Sequence, residues 1–229
     1  MKFDCYIFDL DGTLLDIGNI GVYADQVLLE TLIKLEVKKI PSKIERRELW
    51  ISGGNFNHVL KKWGISDSSD FWKCYDQTDF EKRKILFVNN EISLFKNAKS
   101  LLQQIYNHKE GKKLAICTNT ADYIVDYFLK QFKIKNYFHE IFSMRGNNQE
   151  YAKPSPKGIL KILEKLGFNS QRHKALMIGD SIHDMKAAKA ANISSCLINH
   201  YKQNETERYK NWGIQPNYII EHLIDLLNL

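Results

Sequence analysis

Two aspartates one residue apart, Asp9 and Asp11, end an apolar run that starts at Phe3 and is broken only by Asp4; Gly12 and Thr13 follow at once. The run reads as a short buried strand. In extended backbone, residues i and i+2 face the same side, so both carboxylates can enter one site. Two acids at the end of a buried strand are costly unless something positive neutralises them. A divalent cation engaged in catalysis is the simplest source of that charge. Gly12 permits a sharp turn and lets a backbone N–H come close to a ligand. The plainer reading is a polar turn after a strand, because Asp and Gly are ordinary turn residues. The segments that follow must decide between the two.

The elements that would position these acids divide the chain. From about residue 16 to 88 there is no run that reads as a parallel strand. Apolar residues instead recur at three and four, as in Tyr23, Val27, Leu28, Thr31, Leu32 and Leu35, with breaks at Pro41-Ser42, Ser52-Gly53-Gly54-Asn55, Gly64 and 66–69. Residues 16–88 are therefore expected to be a helical insertion. Beyond it a βα rhythm begins, with helices at 98–106, 123–132, 155–166 and 184–191 and strands at 114–118, 140–143, 175–178 and 195–198. A short strand at 218–220 and a helix at 223–227 close the chain, and 200–213 reads as a polar loop with part of a helix. The class is α/β, a parallel sheet with a helical insertion.

Bulk composition limits the possible partners. Of 229 residues, 44% are hydrophobic and 26% charged, ordinary for a folded protein. No run of about 18 apolar residues marks a membrane span, and Asp4 and Asp9 interrupt the only N-terminal apolar stretch, so no signal arrangement is present. A cytoplasmic protein is expected, with no membrane partner. The net charge of +6 is scattered in pairs such as Lys38-Lys39, Lys61-Lys62 and Lys112-Lys113. Glu81-Lys-Arg-Lys84 fits a solvated helix face, and no arginine-rich stripe interleaved with aromatics suggests a nucleic-acid partner. Cys5, Cys117 and Cys196 lie in apolar runs and no C-x-x-C occurs, so the four cysteines read as reduced and structural.

Open parallel sheets bind ligands beyond the carboxyl ends of their strands, and more polar residues fall there. Thr118-Asn119 follows an apolar strand; Lys153 stands in Ala-Lys-Pro-Ser-Pro; Met177-Ile-Gly-Asp-Ser-Ile-His-Asp184 places Asp180 and Asp184 after another. Read in order, these segments resemble the four motifs of the haloacid dehalogenase-like (HAD) hydrolase superfamily: DxDGT, a Ser or Thr after a strand, KP, and GDSxxD. The resemblance implies a Rossmann-like core at 1–15 and 89–229 with an inserted all-helical, C1-type cap at 16–88. One departure is Phe95-Lys-Asn-Ala98, which replaces a Pro-Gly often found where the chain re-enters the core.

The resemblance also implies roles. Asp9 would be the nucleophile that forms an aspartyl-phosphate, and Asp11 the general acid and then base. Thr118, Asn119, Gly12 and Lys153 would bind the phosphoryl group. Mg²⁺ would be held by Asp9, Asp180 and the Asp11 carbonyl, with Asp184 either a ligand or behind a metal water. Asp11 favours phosphoryl transfer, because haloacid dehalogenases lack an acid there. The expected activity is a phosphatase acting on a small phosphorylated metabolite, similar to phosphoglycolate phosphatases, as monomer or homodimer. A phosphomutase or other phosphotransferase is the alternative, and a non-catalytic phosphate-binding module is another. Mutases of this cap type carry an arginine and a lysine in the cap loop facing the site. The corresponding Ser52–Asn57 loop has no cation, and Arg46 and Arg47 are expected on a helix surface. Trp50, Phe56, Trp63, Phe71 and Trp72 are expected to pack the cap.

Overall fold

The computed structural model describes residues 1–52, 55–146, 148–200, 209 and 211–229. From the N-terminus come β1 (Cys5–Phe8) and β2 (Leu15–Asp16), then α1 (Ile20–Lys34), α2 (Lys43–Ile51), α3 (Phe56–Lys62) and α4 (Ser68–Val88). After β3 (Ser93–Leu94), helices and strands alternate: α5 (Ala98–Tyr106), β4 (Lys113–Ala121), α6 (Asp122–Gln131), β5 (Glu140–Met144), α7 (Lys157–Lys165), β6 (Ala175–Gly179), α8 (Ile182–Ala190), β7 (Ser194–Ile198) and β8 (Tyr218–Ile220). The fold is α/β, with a helical insert between β2 and β3. The chain forms two compact units, one of residues Met1–Asp16, Leu94–Met144 and Tyr151–Leu229, the other of Ile17–Ser93 and Arg145–Glu150.

The first unit is built on a six-stranded parallel sheet in the order β5-β4-β1-β6-β7-β8. Its central strands are buried on both faces, which is why their sequences read as unbroken apolar runs. Cys5 and Ile7 of β1, Ala115 and Cys117 of β4, and Ala175 and Met177 of β6 share a core with α7 and α8. The alternate residues, Tyr6, Phe8, Leu114, Ile116, Leu176 and Ile178, are also buried, and α5 and α6 pack on β4. β2 and β3 form a separate two-stranded ribbon that composition alone did not suggest. The helix expected at 223–227 is a 3₁₀ helix, Leu223–Asn228. Asn97 takes the left-handed backbone, φ 65°, at the start of α5. Asn is among the few residues that tolerate it, so it can stand where a glycine is otherwise common.

The second unit is helical. Leu28, Leu32, Leu49, Val59, Leu60, Phe71 and Trp72 form its core, with Trp50, Phe56, Trp63 and Tyr75 packed against them. Trp50 meets Tyr75 edge-on at 5.6 Å between ring centroids, and Phe56 meets Trp72 at 5.7 Å. Ser42 and Glu45 cap α2 reciprocally, and Asn19 and Asp67 cap α1 and α4 with their side chains.

Two basic residues expected on solvated surfaces are instead buried. Arg46 grips Asp25 through two parallel hydrogen bonds, each 2.7 Å, and donates to the Pro41 carbonyl. Arg83 donates to Asp79 Oδ1 at 2.8 Å, and the Tyr23 hydroxyl donates to the same oxygen. A charge can be buried once a carboxylate of matching geometry meets it. Arg47 is exposed. All four cysteines are free thiols, and burial pushes Cys5, Cys117 and Cys196 up to about 12. No helix among the described residues is long and apolar enough to cross a membrane. Gly53 and Gly54 of the Ser52–Asn57 loop, and most of the expected 200–213 loop, lie outside the described residues.

Candidate active site

Strand register converges the motif residues. Phe8 pairs with Ile116 of β4 on one side and Ile178 of β6 on the other. The next steps of the three strands therefore deliver Asp9, Thr118 and Asp180 to one edge of the sheet. The Asp9 N–H donates to the Ile178 carbonyl at 2.8 Å, which holds the Asp9 backbone in line with β6.

Beyond Asp9 the chain curls tightly. The Leu10 carbonyl accepts from the N–H groups of Thr13, Leu14 and Leu15, and Gly12 stands at φ 74°. That conformation favours glycine. The Gly12 N–H donates to the Leu15 carbonyl at 2.8 Å. Gly12 therefore supplies the turn, and its N–H is already engaged rather than offered to a phosphate as expected.

Lys153 is buried among acids. Its Nζ lies 2.7 Å from Asp9 Oδ1 and 2.6 Å from Asp184 Oδ1. The loop carrying it, with a cis Lys153–Pro154 bond, is clasped by one side chain. Asn119 Oδ1 accepts from the Lys153 N–H at 2.8 Å, and Asn119 Nδ2 donates to the Lys153 carbonyl at 3.1 Å. The Asn119 amide thus positions Lys153. The other carboxylate oxygen of Asp184 accepts from the Ser181 N–H at 3.1 Å and its hydroxyl at 2.6 Å. This capping arrangement starts α8 at Ile182, two residues ahead of the expected position, and buries Asp184 completely. It also needs Gly179, because a Cβ there would stand 2.2 Å from Asp184 Cγ.

The electrostatics favour a cation. Oxygens of Asp9, Asp180 and Asp184 lie within 4.8 Å of one another, and Lys153 is the ammonium among them. Burial pushes the Asp9 carboxyl up to about 7, offset in part by Lys153 and reinforced by Asp184 and Asp11. Burial, then Asp184 and Asp9, also raise Asp180 well above the usual carboxylate range. Burial would lower the Lys153 ammonium, yet Asp184 and Asp9 outweigh it and leave it raised. Such a cluster of hard oxygen donors, short of positive charge, fits Mg²⁺. Asp9 and Asp180 would be better placed than Asp184 to hold such a cation, because both Asp184 oxygens already accept hydrogen bonds from Lys153 and Ser181.

Asp11 lies within the tight turn, and its Oδ2 accepts a 2.7 Å hydrogen bond from the Thr120 hydroxyl. Thr120 was not singled out from the sequence. Its signal was there: in an extended strand Thr120 faces the same side as Thr118.

The profile of the haloacid dehalogenase-like hydrolases matches residues 6–198, a span that includes every motif segment. The chain belongs to the haloacid dehalogenase-like hydrolases. Among relatives of this HAD chain, a phosphoglycolate phosphatase of Pseudomonas putida is 28% identical over 232 residues, covering 96% of this chain and 77% of that protein. The pyrophosphatase PpaX of Bacillus mycoides is 24% identical over 230 residues, covering 99% and 96%. Among solved structures, the HAD hydrolase YfnB of Bacillus subtilis, bound to magnesium, superposes with a TM-score of 0.63 at 21% identity, covering 100% of this chain and 98% of that one.

Proposed function

We propose that this HAD hydrolase is a Mg²⁺-dependent phosphatase that cleaves a small phosphate monoester through an aspartyl-phosphate on Asp9. The observation that carries the reading is the Lys153 ammonium bonded to Asp9, with Asp11 standing as a second acid beyond the same strand. A dehalogenase has no need of a second acid there, since halide leaves without a proton. The relatives named as phosphatases point the same way.

In this reading Lys153 binds the phosphoryl oxygens, the Thr118 hydroxyl turns from Thr120 to join it, and Lys153 favours the ionised form of Asp9 and aims it. Asp9, Asp180 and the Asp11 carbonyl would hold Mg²⁺, which would supply charge to neutralise the phosphoryl oxygens and lower the carboxylate repulsion. Asp9 attacks phosphorus in line while Asp11 gives its proton to the departing alcohol oxygen. Asp11, now ionised, takes a proton from water as that water cleaves the aspartyl-phosphate, and the cycle closes. Asp184 acts behind this arrangement, fixing Lys153 through Oδ1 and α8 through Oδ2. Residues 16–88, the helical insertion, are read as the C1-type cap of the family.

Transfer to water rather than to a sugar hydroxyl is favoured by the cap. Its Ser52–Asn57 loop carries no cation, and of the two arginines that precede it Arg46 is committed to Asp25 and Pro41. Phosphate release from sugar phosphates, nucleotides, phosphoglycolate and pyrophosphate, each with Mg²⁺ and with chelator, tests the reading. Turnover of a monoester that chelator abolishes is expected. Failure to release phosphate from any of them would favour a phosphate-binding module instead.

A further inference from the structure

Thr120 belongs to no motif, yet it touches the second acid. It is nearly buried, at 9% exposure, and sits one residue before the end of β4. Its hydroxyl is fixed from both sides. The Thr120 N–H donates to Thr118 Oγ1 at 3.2 Å, the Thr118 hydroxyl donates to Thr120 Oγ1 at 3.3 Å, and the Thr120 hydroxyl donates to Asp11 Oδ2 at 2.7 Å. The donors therefore run in one direction, from the threonine at the phosphoryl position to the acid.

We propose that Thr120 is a positioning residue for the general acid: its donated hydrogen bond keeps Oδ2 of Asp11 as an acceptor and so places the transferable proton on Oδ1. The inference rests on the phosphatase reading above. A carboxylic acid carries one proton, and a donor already pointing at one oxygen disfavours a second hydrogen there. In the transfer step the bond from Asp9 to phosphorus forms as the phosphorus–alkoxide bond breaks. The Oδ1 proton passes to the alkoxide oxygen, and Thr120 keeps its own. The hydrogen bond to Oδ2 strengthens as Asp11 becomes anionic, because bonds to ionised acceptors are the stronger ones.

The test exploits leaving groups, read as kcat/KM in Mg²⁺, which covers the steps up to departure of the alcohol. An alkyl phosphate needs a proton on its leaving oxygen, whereas p-nitrophenolate leaves without one. Removing the donor by Thr120→Val should cost about 30-fold or more on an alkyl phosphate and less than about threefold on p-nitrophenyl phosphate, in keeping with the usual worth of general acid catalysis. Thr120→Ser, which restores a hydroxyl, should recover most of the alkyl rate. Thr120→Ala carries the same comparison should the valine variant not fold. Equal losses on both esters would mark a merely structural hydroxyl and overturn the proposal, as would no loss on either. A wild-type chain inert to both esters would instead overturn the phosphatase reading on which the proposal stands.

Discussion

Replacing the proposed nucleophile by its neutral isostere should stabilise the metal-free protein, and should do so more as pH rises. The Asp9 carboxyl is pushed from its ordinary 3.8 up to about 7, chiefly by burial and despite Lys153. A carboxyl raised on folding favours the native state below its unfolded pKa, and that advantage disappears as pH climbs through the folded value. Because the unfolded chain ionises this carboxyl more readily, the raised pKa costs the native state at most about 4 kcal/mol at pH 8 and about 2 kcal/mol at pH 5. Asp9→Asn mimics the protonated acid and escapes the cost, while Lys153 keeps Asp184 as a partner at 2.6 Å. For a chain of this size, a gain of a few kcal/mol moves the melting midpoint by about 5–10 °C. Thermal melts of wild type and Asp9→Asn in chelator, at pH 5 and pH 8, read the difference directly. The advantage of the variant should grow between the two pH values and shrink when Mg²⁺ is added, since the cation relieves the wild type. A variant less stable than wild type at pH 8 in chelator, or an advantage that does not change with pH, would refute the electrostatic reasoning.

Three other perturbations probe the supports of the site and of the helical unit. Gly179→Ala puts a Cβ within 2.4 Å of Asp184 Oδ2, so Asp184 must leave Lys153 and Ser181. Stability should fall by about 1–3 kcal/mol in urea and phosphate release by about tenfold or more, and wild-type behaviour would contradict the packing argument. Asn119→Ala frees both backbone groups of Lys153; steady-state kinetics should show KM raised by about tenfold with the melting midpoint little changed. Arg46→Ala and Asp25→Ala should each cost about 1–3 kcal/mol in denaturant melts. The double variant should cost clearly less than their sum, because the two side chains act as one bidentate pair.

Much of the core was legible because its strands are buried on both faces. Runs such as Cys5–Phe8 and Ala175–Gly179 have few other folds open to them, and each ends in an acid that a buried strand would otherwise avoid. What escaped was set by non-local pairing. Arg46 reads as surface on α2, since nothing near it in sequence announces Asp25, 21 residues away. Arg83 was more readable, because Asp79 precedes it by one helical turn on the same face. Ser181 began α8 early by capping it with Asp184, so a residue singled out for metal chemistry also does structural work. Thr120 lay outside the expected 114–118 strand, and it is the extension of β4 to Ala121 that sets it beside Thr118. Gly12 was read for a free N–H, which the turn itself consumes.

The central claim is that Asp9 takes the phosphoryl group. Turnover of an ester carrying radiolabelled phosphate, quenched in acid and digested, should leave label on the peptide containing Asp9, and Asp9→Asn should leave none. Label on a different peptide, or sustained phosphate release by Asp9→Asn, would contradict it.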